Sequence, residues 1–598
     1  MSASSSLAVL PLLLLSSLCF ASADLTAAVV LTEEGTAKAE IVLPNTPSPN
    51  ITFAAELLQS ELLHITGATL PIVETPTAGS THVWIQSADN TTDTADALQL
   101  GPDGIRIFTR EGDLYLGGQG TRGPIYAVAE LLDGMIGCRY WTEKEIDRPR
   151  QASLVIPECA YLYNPPLEYR YPFWTEGFSA SWSLFNKANG FEGLNREEFG
   201  GKRSHGGVHT FNHLIPPATY FESHPEWFSL INGKRSADHA QLCLTNAEMK
   251  AELIKNLKSN IADSPGEYVF SVSQNDWFGF CQCPQCQVVD EANGSPSGTM
   301  VSFVNDVAEA IEEDFPDVMI STLAYQYTRK PPTAVKPRAN VIIQLCSIEC
   351  SFSVPLTHPR NRAFAEDIIG WSKIADRLYI WDYTTNFRHY FLPHPNLRVL
   401  GENLRFFTEH KVHGVFEQGA YTTRCAEFAP LRAWVLARLL WNPTLDDQAL
   451  IREFCEGYYE AAAPQILEYI RIIHDSALEM DEPAYCLPSY STDFPFLSFE
   501  VLEQAYALFQ TAKANSTTPE IRRRVQIAEL PVLYAFILRW NQLKEEAGPR
   551  AFPFDQTREE LAEEFEASAK DLGVTRINEW EEGFGLLKQI LARGGPNR

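Results

Sequence analysis

AFAEDIIGWSKIADRLYIW at residues 363–381 and LRVLGENLRFFTEHKVHGVFE at residues 397–417 are the two stretches that decide the fold. In each, apolar residues first recur at helical spacing, and a short polar segment then leads into an apolar run that predicts a strand, at 378–381 and 412–416. Two such units in succession require parallel strands, because each helix carries the chain back along the sheet before the next strand begins.

The same alternation extends through the middle of the chain. Strands are predicted at 268–273, 318–327 and 341–345, and the apolar residues of 300–311 recur at helical spacing. We therefore predict an α/β fold whose central part, residues 165–478, is a (β/α)8-type TIM barrel. A small α/β domain at 24–158 precedes the barrel, with a helix that ends at Gly67, and a helical region at 480–598 follows it.

Polar side chains stand where the predicted strands end: Asp276, Tyr325, Glu349, Asp382 and Glu417. In a closed parallel barrel all carboxyl ends of strands open onto one face, where the loops build the site. Residues spread over the sequence would then converge in space. The alternative for each carboxylate is an ion pair with Arg or Lys at the barrel rim.

Charge and motifs restrict the possible partners. Acidic residues exceed basic ones by 28 in this 598-residue chain, and the isoelectric point is near 4.9. Such a field repels nucleic acid and anionic lipid headgroups, but it does not exclude neutral glycans. No phosphate-binding glycine motif follows a strand, so the sequence predicts no cofactor, and we assign no metal ligands to the site.

The first residues predict export. LAVLPLLLLSSLCF at 7–20 is long enough for a signal-peptide core and short for a membrane span, and Ala21-Ser22-Ala23 is a small-x-small cleavage site. Residues 1–23 are therefore predicted to be a signal peptide of a secreted or periplasmic protein. No later run reaches about 18 apolar residues, so no membrane span is expected after cleavage.

One cysteine cluster stands out, Cys281-x-Cys283-x-x-Cys286. In an exported protein its spacing favours a disulfide within the cluster or with Cys243. A structural zinc site is an alternative, although only three of the four required ligands are local. A catalytic thiolate is disfavoured because no histidine is near in sequence.

Several ordered motifs carry a family likeness. FAAELLQSELLHITGATLPIV at 53–73 and the stretch 103–141 resemble the N-terminal domain of α-glucuronidases of glycoside hydrolase family 67. SVSQNDWFGFCQCPQC (271–286), TLAYQYTRKPP (322–332), LYIWDYTTNF (378–387) and GVFEQGAY (414–421) resemble domain-of-unknown-function family 4838 (DUF4838). Characterised relatives of that family are placed in glycoside hydrolase family 163, endo-β-N-acetylglucosaminidases acting on complex N-glycans. The resemblance implies a glycan substrate.

Glycosidic hydrolysis needs a carboxylic acid to protonate the leaving oxygen and a second group at the oxocarbenium-like centre. Glu417 is the first choice for the acid, since burial at the end of an apolar strand would keep it protonated. Asp276 is predicted to be the second group, and Asn275 beside it would orient an acetamido group of the substrate. Asp382 is the alternative candidate for the second carboxylate. Capping of the next turn is the alternative role for Asn275 and Asp276.

Substrate contacts are predicted for a wider set, in which aromatic rings stack on sugar C–H faces while polar groups hold hydroxyls. The set is Asn275, Trp277, Tyr325, Glu349, Trp381, Tyr383, Tyr421 and His209, the last expected to end an earlier strand. The predicted function is β-N-acetylglucosaminidase-type cleavage of oligosaccharide or glycoprotein glycans. An α-glucuronidase-like uronic acid hydrolase and a non-catalytic glycan-binding protein are the alternatives. Arg329, Lys330 and Arg388 are the only obvious cations for a uronate clamp.

Overall fold

The computed structural model describes residues 28–87, 100–488 and 493–592, so the predicted signal peptide lies outside the described residues. Within them, the central sheet contains six strands, all parallel and numbered here in chain order. They are Tyr169–Phe173 (β1), Val269–Ser271 (β2), Met319–Ala324 (β3), Val341–Cys346 (β4), Arg377–Tyr383 (β5) and Val412–Gln418 (β6). The predicted parallel order is confirmed for all strands from 268 onward.

The sheet curls into a half-barrel with the order β1-β6-β5-β4-β3-β2, rather than the predicted eight-stranded ring. Among the described residues no ladder joins β1 to β2. An irregular segment bridges the gap: Arg203 N donates to Asn189 O at 2.7 Å on the β1 side, and Thr210 Oγ1 donates to Ser271 O at 2.9 Å on the β2 side.

Backbone conformation explains why the bridging segment forms no strand. The four glycines at 200, 201, 206 and 207 all have positive φ, between 77° and 85°, which a strand does not accommodate. His209 also has a positive φ of 56°, so the prediction that it ends a strand is wrong. A Cβ at Gly206 would lie 2.7 Å from Ser321 Oγ, which shows how closely this segment approaches the sheet.

Helices cover the outer face of the sheet between successive strands. The crossover helices are Ala247–Ala262, Pro284–Asn293, Ser297–Glu312, Arg362–Trp371 and Leu400–Glu409, and Ala429–Trp441 packs behind β1. Ser297–Glu312 buries the apolar stripe predicted from the spacing of 300–311. These helices bury the apolar side chains that point outward from both edges and the centre of the sheet.

The N-terminal part is a mixed α/β arrangement. Its larger sheet has six strands in the described residues: Ala160–Tyr163, Ile105–Arg110, Asp113–Gly118, Thr81–Ser87, Ala39–Val42 and Ile72–Val73, in spatial order. A second sheet joins Leu154–Ile156, Val29–Glu33 and Thr36–Ala37, and the short strands Arg139–Tyr140 and Ile146–Asp147 pair separately. The predicted helix is Pro49–Thr66, and Gly67 ends it with φ 77°. Helix Gly123–Glu130 packs on the larger sheet.

A buried charge cluster joins the N-terminal part to β1. Asp103 accepts from Arg122 at 2.9 Å and from Arg170 of β1 at 2.9 Å, and all three side chains are buried. Burial opposes ionisation of Asp103, but the two guanidinium groups outweigh it and lower its pKa to about 2. Removing either arginine or the aspartate would leave a buried charge without its partner, which is strongly destabilising. The cluster therefore fixes how the N-terminal part packs against β1.

The region predicted to be helical, 480–598, contains the helices Phe499–Asn515, Pro519–Leu538, Trp540–Ala547, Arg558–Leu572 and Gly585–Ala592 among its described residues. Two further helices, Asp447–Tyr459 and Ala463–Glu479, precede it inside the range predicted for the barrel. A single apolar cluster runs through the N-terminal, central and C-terminal parts, and the division into three domains stays a prediction. Among the described residues, no helix combines the length and apolarity that a bilayer crossing requires.

The inner face of the sheet has its own apolar cluster, built from Tyr169, Tyr171, Val269, Ile342, Tyr379 and Phe416. Tyr169 and Tyr379 stack with ring centroids 5.6 Å apart on either side of Gly414. Below them Glu168 accepts from Arg377 at 2.8 Å and from the Tyr379 hydroxyl at 2.8 Å, which closes the amino-terminal end of the half-barrel.

Gly414→Ala should destabilise the protein by about 1–3 kcal/mol, the usual range for overpacking. The new Cβ would lie 2.7 Å from Tyr169 Cβ and 3.0 Å from the Tyr379 ring, and neither can move without disturbing the stack. The free energy of unfolding in urea measures the effect. Gly101→Ala is the matched control, because its Cβ would meet only Asn164 Oδ1 at 3.8 Å. Equal stability of the two variants would contradict this account.

Candidate functional site

The inner face of the sheet forms a cleft of about 1050 Å³, which runs from Tyr169 and Val269 at the amino-terminal ends of β1 and β2 to Tyr383 and Gln418 at the carboxyl ends of β5 and β6. Aromatic rings from the inner face form most of its walls: Tyr169, Tyr171, Phe173, Tyr325, Trp381, Tyr383, Phe416 and Tyr421. Phe173 and Tyr421 stack at 4.9 Å, and Trp381 meets Phe416 edge-on at 4.6 Å. The size and the mixture of rings and polar groups suit a sugar-sized ligand.

Asp276 reaches this cleft from the loop after β2 and is exposed in it. The Tyr325 hydroxyl donates a hydrogen bond to Asp276 Oδ1 at 3.0 Å, which fixes the carboxylate against the wall. The preceding backbone is held by Gln241, whose Oε1 accepts from Asn275 N at 2.9 Å. Asp276 is therefore a positioned carboxylate with an open side toward the cleft.

A second carboxyl group enters from the C-terminal part. Glu579 lies in the segment between the last two helices, and its backbone N–H donates to Phe387 O at 3.0 Å. Its Oε1 accepts from the Tyr421 hydroxyl at 3.1 Å and from Gln418 Nε2 at 3.3 Å. Burial raises the pKa of Glu579, the Tyr421 hydrogen bond partly opposes this, and the negative charge of Asp276 raises it further.

Other charged groups in the cleft are already paired. Lys202 contacts Glu192 at 2.6 Å and Glu267 at 3.0 Å, and Arg203 donates to Glu168 at 2.7 Å. Within the described chain, Asp276 and Glu579 are the cleft carboxyl groups without an ion-pair partner. They interact electrostatically, and their environments differ, one exposed and one partly buried.

Six of the residues predicted from the sequence line the cleft: Asp276, Tyr325, Trp381, Tyr383, Tyr421 and His209. His209 Nδ1 lies 2.8 Å from Gln274 O, and its ring lies against Tyr325 with centroids 6.1 Å apart. These residues come from five separate places in the chain, and the structure brings them together at one mouth. Their catalytic or binding roles stay predictions.

Three other predicted contacts are occupied elsewhere. The Asn275 amide donates to Asn212 Oδ1 at 3.1 Å and to Ala240 O at 3.2 Å, so it positions the loop and does not face the cleft. Trp277 Nε1 donates to the same Ala240 carbonyl at 2.8 Å. Glu349 Oε2 lies 3.3 Å from Arg329 Nη1. This ion pair is the alternative role that the sequence predicts for carboxylates at the rim.

Glu417 and Asp382 point away from the cleft, which corrects the prediction that they act in it. Side chains alternate along a strand, and the inner positions are occupied by Trp381 and Tyr383 on β5 and by Phe416 and Gln418 on β6. Asp382 and Glu417, in register on neighbouring strands, lie between them on the outer face. Glu417 is only 1% exposed.

The two outer-face carboxyls form a buried pair. Burial raises the pKa of Glu417 well above its ordinary value, and the neighbouring Asp382 adds to the effect. Burial also raises the pKa of Asp382, against a hydrogen bond donated by the Ser347 hydroxyl. Among the described residues, Glu417 Oε2 has no hydrogen-bond partner. This direction agrees with the argument that burial favours the protonated form of Glu417, but the carboxyl lies in the protein interior and not in the cleft.

Glu579, Gln418, His205 and Trp580 line the cleft and were missed from the sequence. Trp580 is 54% exposed beside Glu579, an unusual exposure for the largest apolar side chain, but this exposure is a property of the fold that the sequence does not reveal. His205 lies against the Trp381 and Phe416 rings, with centroids 5.7 and 5.2 Å away, and burial lowers its pKa to about 4. It is therefore a neutral ring at pH 7.

Comparison with known proteins gives a family and a fold. A protein-family model described as a domain of unknown function (DUF4838) matches residues 140–471. No curated protein matches the sequence. Among solved structures, the chain is similar to BtGH115A, which is described as a family GH115 4-O-methyl-alpha-glucuronidase with specificity for decorated arabinogalactans. The two align with a TM-score of 0.62 and 11% sequence identity, and the alignment covers 91% of this chain and 77% of BtGH115A. A structure of CpGH84B aligns with TM-score 0.44, 11% identity, and coverage of 94% and 97%. The likeness to BtGH115A shows a shared fold.

Glu417→Gln should change how stability depends on pH. A carboxyl whose pKa is raised by folding stabilises the native state while it is protonated, so wild-type stability falls as pH rises above the ordinary glutamate value of 4.5. The loss amounts to about 1.4 kcal/mol per pH unit up to the folded-state pKa. Glutamine cannot ionise, so the variant should gain stability relative to wild type between pH 5 and pH 8.

Urea unfolding at several pH values measures this difference. Glu582→Gln is the control, since that side chain is 90% exposed and its removal should leave the pH dependence unchanged. If the difference in free energy of unfolding between Glu417→Gln and wild type did not change with pH, folding would not raise the pKa of this carboxyl group.

Proposed function

We propose that this chain, which belongs to the DUF4838 family, hydrolyses glycosidic bonds in the aromatic cleft. The observation that carries the proposal is that Asp276 and Glu579 line the same cleft in different environments, one exposed and one partly buried, among rings suited to sugar faces. Glycosidic cleavage uses such a pair, one carboxyl protonated and one ionised. The fold shared with BtGH115A is compatible with this chemistry.

Glu579 is the proposed proton donor. Its raised pKa favours the protonated form, and Oε1 is held by Tyr421 and Gln418, which leaves Oε2 to carry the proton toward the leaving oxygen. Asp276 is the proposed second group, because it is exposed to the cleft and oriented by Tyr325. It either stabilises the oxocarbenium-like centre directly or polarises an acetamido group of the substrate.

The preferred substrate is a β-N-acetylglucosaminide within a complex glycan. The resemblance of the central motifs supports this choice, as does a cleft whose cations are already neutralised by carboxylates. With Asn275 occupied in the loop, the Tyr325 hydroxyl and the Asp276 carboxylate are the groups placed to hold the acetamido group.

A uronic acid substrate is the second candidate, and one observation favours it. Lys202 and Arg203 line the amino-terminal end of the cleft, where a substrate carboxylate could exchange with their present acidic partners. The cations considered from the sequence are not among the lining residues, and Arg329 is held by Glu349 and Asp367. Export through the predicted signal peptide stays part of the proposal and fits an extracellular or periplasmic glycan.

Glu579→Gln should lower kcat by about 10²–10⁴-fold while glycan affinity is retained, because the amide fills the same space without a proton to donate. The assay follows sugars released from N-glycoproteins, mucin and glucuronoxylan by mass spectrometry. Glu582→Gln, three residues further along the same segment, is the matched control and should keep wild-type turnover.

The same screen separates the alternatives. Release of N-acetylglucosamine-terminated products supports the preferred substrate, and release of uronic acid supports the second candidate. A wild-type protein that binds glycans but releases no sugar would instead be a binding protein. Full turnover by Glu579→Gln would remove Glu579 from the mechanism.

Tyr421→Phe should shift the alkaline limb of the kcat/KM profile to higher pH by about one to two units. The Tyr421 hydroxyl donates to the ionised Glu579 carboxylate and so lowers its pKa, and a hydrogen bond to a charged group is worth about 1.5–3 kcal/mol. Phenylalanine keeps the stack on Phe173. An unshifted limb would show that another group sets the alkaline pKa.

A further inference from the structure

Four cysteine side chains meet beside the loop that carries Asp276. Cys243, Cys281, Cys283 and Cys286 are all buried, and their sulfur atoms lie within 4.8 Å of one another. They come from two separate segments: Cys243 follows the hairpin of Leu230–Ile231 and Lys234–Arg235, and the other three surround the start of helix Pro284–Asn293. The fourth ligand that the local spacing lacked is therefore supplied from a distance.

We propose that these four thiolates bind one zinc ion in a closed structural site. Zinc in proteins favours a tetrahedron of thiolates at about 2.3 Å, which puts neighbouring sulfur atoms about 3.8 Å apart. The sulfur atoms of Cys243 and Cys283 are 3.7 Å apart, as this geometry requires. Because four sulfur ligands fill the tetrahedron, no position remains for water or substrate.

The surroundings suit an anionic metal cluster. Four thiolates around Zn²⁺ carry a net charge of −2, and the side chain of Arg235 approaches Cys281 Sγ with Nη1 at 3.7 Å. The backbone N–H of Leu230 donates to the same sulfur at 3.3 Å. The Thr245 hydroxyl lies 3.2 Å from Cys286 Sγ. Donors of this kind hold thiolates in place and balance their charge.

A disulfide, which the sequence spacing favours, fits this arrangement less well. A disulfide bond needs sulfur atoms about 2.05 Å apart, and among the described residues all cysteines are free. Forming one bond would draw two sulfur atoms together and leave the other two thiols buried without a reaction partner unless a second bond also formed. The metal site satisfies all four sulfur atoms at once.

The site anchors the loop from Asn275 to Cys281. Gln241, two residues before Cys243, donates through Nε2 to Asn275 O at 3.0 Å and to Phe278 O at 3.2 Å. Gly279 passes so close to the other segment that a Cβ there would lie 2.2 Å from His239 O. Zinc would join the segment that contains Gln241 and Cys243 to the segment that follows the loop, at Cys281, Cys283 and Cys286. This inference does not depend on whether the cleft hydrolyses glycans.

The test is metal analysis of the full chain purified without added metal. Plasma mass spectrometry should find one zinc per chain, and native mass spectrometry should show its mass. Iodoacetamide should leave the four cysteines unmodified until a chelator and denaturant are added, after which all four should react without a reductant. Peptides linked by a disulfide before reduction, or full-length protein without metal and with four reactive thiols, would overturn the proposal.

Cys286→Ser should lose its zinc during dialysis against a chelator concentration that leaves wild type loaded, and its melting temperature should fall. Cys159→Ser is the matched control, because that half-buried thiol lies outside the cluster and should not affect zinc content. Equal zinc retention by the two variants would also overturn the proposal. If Cys286→Ser fails to fold, the stoichiometry and thiol protection of the wild-type protein still decide the question.

Discussion

The alternation of side chains along parallel strands determines which groups of this protein can meet in the cleft. On β5 the inner face receives Trp381 and Tyr383, and on β6 it receives Phe416 and Gln418, while Asp382 and Glu417 between them are buried on the opposite face. One step along the chain therefore separates a group that can touch a ligand from one enclosed in the core. The inner aromatic cluster, the walls of the cleft and the buried acid pair all follow from this one rule.

Sequence periodicity predicted the five strands from residue 268 onward and three of the helices between them, but it wrongly placed a strand ending at His209 and did not show which face of the sheet each side chain occupies. Helices such as Arg362–Trp371 are amphipathic, and the strands are apolar runs between them, so the parallel sheet and the positions of Asp276, Tyr325 and Tyr421 could be predicted. Strands covered on both sides carry apolar residues at odd and even positions alike, as Val415 and Phe416 show, and such runs do not reveal which face is which. Glu579 had no local signal, because only tertiary contacts across more than 150 residues bring it to Tyr421.

The cleft is consequently assembled from parts that are far apart in the chain. The segment around Glu579 docks through backbone hydrogen bonds to Phe387 and Tyr390, and its carboxyl then accepts from two residues of the central part. Asp276 depends in the same way on Gln241. Neither carboxyl group lies on a strand, and both are positioned by hydrogen bonds to residues of other segments. The geometry of the site therefore depends on how these segments pack together as well as on the sheet.

The glycine-rich segment that spans the gap between β1 and β2 has a consequence for divergence among relatives. It lines the cleft through Ser204–His209 but contributes no ladder to the sheet, so its length can change without breaking the pairing of any strand. In a closed ring of strands the width of the pocket depends on the number of strands, whereas in this half-barrel a segment without strand pairing forms part of the pocket wall. A change of length or sequence in this segment would accordingly reshape one wall of the cleft and leave the paired strands as they are.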